Sequence, residues 1–266
     1  MSEPIESDCP MQEKYKQLLA RNSDGGGLSP HSLGAWSVLF DAQKSMGITG
    51  NFLEIGLWTG IGLSGMALHA AENEEVVGVD LYVQREPIKA NYEAITGRPF
   101  ESITFLEQSS LTLRHSAALQ PKRGSFRWVH IDGEHSFDAV CSDIEFAMDV
   151  IKPGGIIVID DFFNIGSAGI TEAVYFMTAR YPHRLRMFLA GMNKAYLAAP
   201  RYFGKYRAYC IQHLAQRLEG EFGVPITIAK NGHSTEIDYI SFFDRIGEYN
   251  GMRIGEFLRT IPSDFF

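Results

Sequence analysis

Acidic side chains and a histidine follow two apolar segments of the chain. In "WVHIDGEHSFDAV", Asp132, Glu134 and His135 come directly after an apolar run, and "GGIIVIDDFFN" places Asp160 and Asp161 after another. Acids that lie close together repel unless a proton, a basic side chain or a cation offsets them. Neither segment contains lysine or arginine. An all-oxygen cluster of this kind suits a hard divalent cation such as Mg²⁺, with Mn²⁺ or Ca²⁺ as alternatives.

Short apolar runs alternate with helix-like stretches through the middle of the chain. The runs lie near residues 52–55, 75–79, 103–106, 127–131 and 156–159, and the helical patterns near 61–73, 86–95, 111–118, 136–151 and 170–180. This alternation predicts a doubly wound α/β fold with a mostly parallel sheet. Ligands bind beyond the carboxyl ends of such strands. Asp132, Asp160 and Asp161 are therefore expected to lie together at the ligand-facing edge.

The two ends of the chain differ from this core. The pattern predicts an N-terminal helical segment over 1–46, a core over 47–199 that ends in a hairpin near Gly191, and a C-terminal extension over 200–266. The extension begins with a helix whose aromatic stripe is too apolar for water, so it is expected to pack on the body or on another subunit. The stripe consists of Tyr202, Tyr206, Tyr209, Cys210, His213, Leu214 and Arg217.

The helix after "HIDGEH" has one apolar face. Its members recur at helical spacing and predict a buried stripe, which comprises Val140, Ile144, Ala147, Met148 and Ile151. Asp138, Asp143 and Glu145 are most simply assigned to the solvated face.

Composition excludes several classes of function. The formal net charge of the 266 residues is −8, and without a basic block this argues against nucleic-acid binding. The acidic N-terminus has no apolar core that would mark a signal peptide, and no apolar run approaches the length needed to span a bilayer. The expectation is a cytoplasmic globular protein with no membrane partner.

A glycine-rich turn follows the first apolar run in "NFLEIGLWTGIGLSGMALHAA". Gly56, Gly60 and Gly62 come after Glu54, and Asp80 ends the next run. Such a turn lets backbone N–H groups approach a ligand closely, and an acid at the end of the second strand can accept hydrogen bonds from ribose hydroxyls. Together these features predict a nucleoside-binding half of the sheet.

The glycine order G-x-x-x-G-x-G, with an acid two residues before it, resembles the first motif of class I S-adenosylmethionine (SAM) methyltransferases. Short-chain dehydrogenases also use this order, but their catalytic Y-x-x-x-K pair is absent from the sequence. The resemblance implies a Rossmann-like sheet of seven strands with an antiparallel hairpin at its end. It also implies that Glu54 lies near the methionine end of SAM, and that Gln108 and Ser109 contact the adenine. Ser109 is equally consistent with a helix N-cap.

"HIDGEHSFDAV…D…KPGGIIVIDDF" resembles a narrower branch, that of macrocin O-methyltransferase and cephalosporin-hydroxylase-like proteins. More distantly it is similar to catechol and caffeoyl-CoA O-methyltransferases, and the likeness covers residues 30–198. In these families the positions of Asp132, Asp160 and Asp161 hold the metal. Catechol-type enzymes place a catalytic lysine where this chain has His135.

His135 has an ordinary pKa that allows it to act as a general base near neutral pH. Each assignment at this edge has a structural alternative. His135 could bond backbone at a helix start, and the three aspartates could end strands or contact SAM without a metal. His130 is more simply a core histidine, and Glu134 a first-turn acid favoured by the helix dipole.

The combined prediction is a SAM-dependent, Mg²⁺-assisted O-methyltransferase that acts on a small hydroxylated molecule. The acceptor is expected to be a sugar, or a phenol or catechol of a natural product. The enzyme is expected to be a homo-oligomer. The alternatives are a metal-dependent hydroxylase-like enzyme and a SAM-binding module without catalysis. Loop residues Asn164, Asn193 and Lys194 are expected to border the acceptor pocket. His233 and Asp238 are expected to form a lid or to cap the last strands.

Overall fold

The computed structural model describes residues 10–22, 28–230, 239–245, 248–249 and 252–253, so His233 and Asp238 lie outside the described residues. Its helices are α1 (Pro10–Arg21), α2 (Pro30–Ser45), α3 (Ile61–Ala67), α4 (Arg85–Thr96), α5 (Phe137–Val150), α6 (Ala168–Arg180) and α7 (Pro200–Phe222). Its strands are β1 (Asn51–Ile55), β2 (Val76–Asp80), β3 (Ile103–Glu107), β4 (Phe126–Ile131), β5 (Ile151–Ile159), β6 (Arg186–Gly191), β7 (Lys194–Ala198), β8 (Ile226–Lys230), β9 (Ile240–Asp244), β10 (Glu248–Tyr249) and β11 (Met252–Arg253). No helix within these residues is both long and apolar enough to cross a membrane.

Nine strands form one sheet in the order β3-β2-β1-β4-β5-β7-β6-β9-β8. Strands β1 to β5 pair in parallel, and β7 pairs antiparallel with both β5 and β6. The predicted doubly wound α/β fold with a terminal hairpin is therefore confirmed. The expected count of seven strands is too low, because β8 and β9 of the C-terminal segment extend the sheet beyond β6.

Helices cover both faces of the sheet, which explains why the strands are continuously apolar. Phe52 and Trp128 pack into a core with α2, α3, α4 and α7. Their strand neighbours Leu53 and Val129 point the other way, into a second core with α5 and α6. Successive side chains of a strand alternate between faces, so each strand contributes to both cores.

The N-terminal and C-terminal helices pack together on the first of these faces. Helix α2 begins as expected, with Pro30 at its first position and the Ser29 hydroxyl accepting a hydrogen bond of 3.1 Å from the Ser32 N–H. Helix α7 lies directly against it: a Cβ added at Gly34 would come within 2.8 Å of Leu218 Cδ1. Tyr206, Cys210 and Leu214 of the predicted stripe are buried by this contact, so the stripe packs on the body of the same chain.

Two predicted helices are shorter than expected. Helix α3 ends at Ala67 instead of residue 73, and the stretch predicted at 111–118 is a 3₁₀ turn over Ser110–His115. This turn packs on α5 and covers a side of that helix that was expected to face solvent. Asp143, expected on the solvated face, is completely buried. That prediction was wrong because periodicity shows which residues share a face but not which other segment covers them.

Candidate active site

Strand pairing brings the ends of β1, β4 and β5 side by side. Ile55 pairs with Ile131, and Ile131 with Ile159. The ladder continues for one residue, because Asp132 N–H donates to the Ile55 carbonyl at 2.8 Å and Asp160 N–H donates to the Ile131 carbonyl at 2.9 Å. The chain order reverses between β1 and β4, and this switch point is where doubly wound sheets bind ligands. The predicted acids of β4 and β5 therefore lie at this edge.

The glycine turn between β1 and α3 is packed so closely that side chains would not fit. A Cβ at Gly56, where φ is 85°, would lie 1.9 Å from the Asp132 carbonyl oxygen. A Cβ at Gly62 would lie 2.1 Å from Glu54 Oε1. Gly60 precedes α3 in the left-handed conformation. Because no side chain fits at these glycines, main-chain atoms line this part of the site, and a ligand can approach them closely.

Asp80 at the end of β2 holds the same turn from the other side. Its carboxylate accepts hydrogen bonds from the Leu57 N–H at 2.8 Å and the Tyr82 N–H at 3.1 Å. The Gln108 N–H donates to the Asp80 carbonyl at 3.0 Å. Asp80, Gln108 and Ser109 line a cavity of about 290 Å³ together with Gly56. Ser109 occupies the N-cap position of the 3₁₀ turn, but its side chain makes no capping hydrogen bond.

Asp132, His135 and Asp161 form a partly exposed cluster. His135 Nε2 lies 3.3 Å from Asp161 Oδ2 and 3.9 Å from Asp132 Oδ1, and His135 Nδ1 lies 3.3 Å from the Ser167 hydroxyl. The nearby Asp132 carboxylate and the negative charge of Asp161 raise the pKa of His135, against the effect of burial. The N-cap of α5 is Ser136, so His135 does not cap the helix.

Asp160 has a cationic partner that does not belong to either sequence motif. The Lys194 ammonium forms an ion pair with Asp160 Oδ2, and Lys194 is only 2% exposed. The other carboxylate oxygen accepts a hydrogen bond of 2.8 Å from the Asp161 N–H. Burial alone would raise the pKa of Asp160, but the charge of Lys194 and the nearby His130 imidazole lower it well below its ordinary value.

His130 connects Asp160 with Glu54 beneath the site. Its Nδ1 lies 2.8 Å from Glu54 Oε1 and its Nε2 lies 3.5 Å from Asp160 Oδ2. Burial would lower the pKa of His130, but the two acids raise it to about 9. Burial raises the pKa of Glu54, and His130 opposes that shift. Glu54, His130, Asp160 and Lys194 thus form a buried row of alternating acids and bases, of which the motifs themselves contain only the first three.

Asp161 is oriented by two amides. Its backbone is left-handed, with φ of 54°, and its Oδ1 accepts hydrogen bonds from Asn193 Nδ2 at 2.5 Å and Asn164 Nδ2 at 3.2 Å. Asn193 lies in the turn between β6 and β7, where Met192 and Asn193 both have positive φ, as two-residue hairpin turns require. The hairpin thus places Asn193 and Lys194 next to the paired aspartates.

A larger cavity of about 750 Å³ contains these groups. Residues from the glycine turn, the ends of β4 and β5 and the β6–β7 hairpin line it, among them Glu54, Asp132, His135, Asp161 and Lys194. It shares five lining residues with the smaller cavity, namely Gly56, Leu57, Trp58, Asp132 and Gly133. A single elongated ligand could therefore occupy both.

Two overlapping groups have donor atoms close enough for one metal ion. In the described part of the chain they are Asp132 with His135 and Asp161, and Asp132 with His130 and Asp160, each with ligand atoms within 4.8 Å of one another. The first group has two carboxylates that face the larger cavity. In the second, Asp160 already pairs with Lys194. The chemistry of the donors therefore fits a cation best at Asp132 and Asp161.

Comparison with known proteins agrees with this fold. Residues 53–162 match the family model of a methyltransferase domain. The fold is similar to that of an O-methyltransferase from Bacillus cereus in complex with SAH, with 17% identity, a TM-score of 0.51, and coverage of 74% of this chain and 93% of that one. A Corynebacterium glutamicum protein is similar at 14% identity, with a TM-score of 0.51 and coverage of 70% and 89%. No curated protein sequence matches the chain.

Proposed function

We propose that this chain, whose residues 53–162 match the family model of a methyltransferase domain, transfers the methyl group of SAM to a hydroxyl oxygen of a small molecule. The observation that carries the proposal is the position of His135. Its Nε2 lies beside Asp132 and Asp161 in a cavity that also contains the glycine turn. A methyl donor on the turn and a deprotonated oxygen near His135 would meet in that space.

The lining residues that the two cavities share support the binding of one elongated ligand such as SAM. The nucleoside would occupy the smaller one, where Asp80, Gln108 and Ser109 offer polar contacts to ribose and adenine. The methionine end would cross Gly56 and reach Glu54 in the larger one. The ligand's ammonium group would complement the buried Glu54 carboxylate, since a buried charge is stable only when it is paired.

His135 would remove the proton from the acceptor hydroxyl through Nε2. The Ser167 hydroxyl lies against Nδ1 at 3.3 Å and would orient the ring. Asp132 and Asp161 would stabilise the imidazolium that forms. General base catalysis of this kind contributes roughly 10²–10⁴-fold to a rate, and holding the two reactants in line contributes the larger share.

A divalent cation fits the donor set, and we propose Mg²⁺, held by Asp132 and Asp161, with Asp160 supporting them from its ion pair with Lys194. Such an ion would orient the acceptor oxygen and lower its pKa. Asn164 and Asn193, which hold Asp161 Oδ1, would keep that carboxylate aimed at the cavity. The acceptor would be a sugar hydroxyl or a phenol or catechol of a natural product.

Methyl transfer from SAM with a labelled methyl group tests the proposal directly. The acceptors would be a panel of sugars, phenols and catechols with one or two adjacent hydroxyls, and the product would be followed by mass spectrometry. Labelled product from a hydroxyl acceptor is expected. SAH binding with no turnover on any acceptor would favour a SAM-binding module, and oxygen insertion without methyl transfer would favour the hydroxylase-like alternative.

Metal assistance is tested separately with EDTA and Asp161→Asn. EDTA is expected to lower methyl transfer, and added Mg²⁺ to restore it. Mn²⁺ binding, measured by electron paramagnetic resonance, is expected to weaken in Asp161→Asn but not in Asp138→Asn, which changes an exposed acid on α5. Full activity in EDTA would show that the reaction does not depend on this ion, and equal Mn²⁺ binding by both variants would show that Asp161 does not hold it.

A further inference from the structure

Asp143 is a buried carboxyl group without a hydrogen-bond partner. It lies on α5, is 0% exposed, and neither of its oxygens has a partner among the described residues. Burial raises its pKa to about 7; the nearby Ser110 side chain opposes that shift and Glu134 adds to it. A buried polar group that makes no hydrogen bond is costly, and native proteins usually provide a partner. Asp143 therefore requires an explanation.

Two segments place groups close to Asp143. From the 3₁₀ turn, Ser110 is near enough to lower its pKa. From the segment after β4, Gly133 lies so close that a Cβ there would be 3.5 Å from Asp143 Oδ2. Among the described residues, no basic side chain forms an ion pair with the Asp143 carboxyl. Arg114, the arginine of the 3₁₀ turn, instead binds Glu145 at 2.8 Å and Asp149 at 3.2 Å.

Both of these segments also form the wall of the smaller cavity. Ser110 and Gly133 line it, together with Asp80, Gln108 and Ser109. The unpartnered carboxyl therefore lies directly behind the wall that would surround the nucleoside. A ligand that fills the cavity would press on both segments, and the Ser110 hydroxyl, which lies near Asp143, could turn toward it.

We propose that Asp143 is a positioning residue for the nucleoside end of the cofactor, and that the Ser110 hydroxyl donates a hydrogen bond to it when the cavity is filled. The proposal rests on the proposed function, because it takes the nucleoside of SAM or SAH as the occupant. The ligand would contact the two segments from inside the cavity, and the hydrogen bond to Asp143 would fix their position from the opposite side.

This role of Asp143 predicts that the protein releases protons when the ligand binds. A hydrogen bond donated to a carboxylate favours its ionised form. The free protein holds Asp143 partly protonated near pH 7, so filling the cavity would release part of a proton. Glu134 on the segment after β4 is another charged group near Asp143, and it is unchanged in the variants below.

Calorimetric titration with SAH at pH 7, in two buffers of different ionisation enthalpy, measures both affinity and proton release. The wild type is expected to release protons on binding. Asp143→Asn keeps an acceptor oxygen but cannot titrate, so it should retain most of the affinity and lose that release. Asp143→Leu and Ser110→Ala should each bind SAH about tenfold more weakly, as expected for the loss of one charge-assisted hydrogen bond. Asp138→Asn, on the exposed side of the same helix, should match the wild type.

Unchanged SAH affinity in Ser110→Ala, or the same proton release in Asp143→Asn as in the wild type, would overturn the inference. Ser110 is only half-buried, so Ser110→Ala decides the question even if Asp143→Leu does not fold. A wild type that transfers methyl groups, with variants that bind SAH equally well, would remove only this inference. A wild type that binds no SAH would remove the proposed function as well.

Discussion

Lys194 and Asp160 form a buried ion pair between the first residue of β7 and the residue that follows β5. The antiparallel register, in which Ile159 pairs with Ala195, sets the two side chains opposite each other. Lys194 is 2% exposed. A charge at that depth is tolerated because its partner is also charged.

Removing only one member of this pair should destabilise the protein strongly. Lys194→Met removes the basic group that lies nearest the buried Asp160 carboxylate and leaves His130 as its basic neighbour, with an expected loss of about 3–5 kcal/mol in the free energy of unfolding. Asp160→Asn in the Lys194→Met background should recover part of that loss. Urea unfolding of the two single variants and the double variant measures the coupling. Additive effects would show that the pair does not interact as described.

His135→Gln should lower kcat for methyl transfer roughly 10²–10⁴-fold, because it removes the proposed base. SAH affinity should change little, since His135 lies on the acceptor side of the cavity. Steady-state kinetics and SAH titration separate the two effects. His183→Gln is the control, because His183 is exposed in the turn before β6. Equal kcat values for both variants would exclude His135 as the base.

Gly62→Ala should disturb the glycine turn through Glu54. The new Cβ would overlap the Glu54 carboxylate, 2.1 Å away, and the side chain or the turn must move. Overpacking of this kind costs about 1–3 kcal/mol, and SAH affinity should fall with it. Gly220→Ala in α7 is the matched control, because a Cβ there meets nothing within 4 Å. Gly62→Ala with full stability and affinity would mean that the contact is not maintained in solution.

The raised pKa of Asp143 predicts how stability depends on pH. Its value is 3.8 ordinarily and about 7 in the folded chain. Below about pH 4 Asp143 is protonated in both the folded and the unfolded chain, so it adds no pH dependence to the free energy of unfolding. As the pH rises toward 7 the unfolded state loses its proton first, so the folded state loses stability, and above about pH 7 the loss is complete.

Asp143→Asn should therefore gain stability relative to the wild type between pH 4 and pH 7, by a few kcal/mol at most. Urea unfolding at pH 5, 6, 7 and 8 measures the difference in the free energy of unfolding between the two proteins. The contributions of the other titrating groups cancel in this difference. Asp138→Asn should show no such trend. A constant difference across this range would mean that Asp143 is ionised throughout.

The sequence predicted the part of the site that depends on strand ends. Asp132 and Asp160 follow β4 and β5, and parallel pairing alone is enough to bring them together. The glycine spacing likewise predicted a turn that only glycine can form. These features were accessible because they depend on local pattern and on the general rules of parallel sheets.

Two features depend on tertiary packing and were not predicted. Lys194 was expected on a loop, but the hairpin register turns it inward toward Asp160. The antiparallel pairing of β7 with β5 sets Lys194 opposite Asp160, so a prediction of that pairing would have identified the ion pair. Asp143 was assigned to solvent because helical periodicity does not reveal that the turn at Ser110–His115 covers that side of α5.

The hydrogen bond from the Asp132 N–H to the Ile55 carbonyl has a consequence for how acceptor choice could vary. It fixes the glycine turn and Asp132 at the spacing of adjacent strands, about 4.8 Å, so in the proposed function the main chain would set the distance between the cofactor and this acid. The hairpin that carries Met192 and Asn193 is attached to the opposite side of the cavity. Exchanging its side chains would reshape the acceptor side while the alignment of the reacting atoms stays the same.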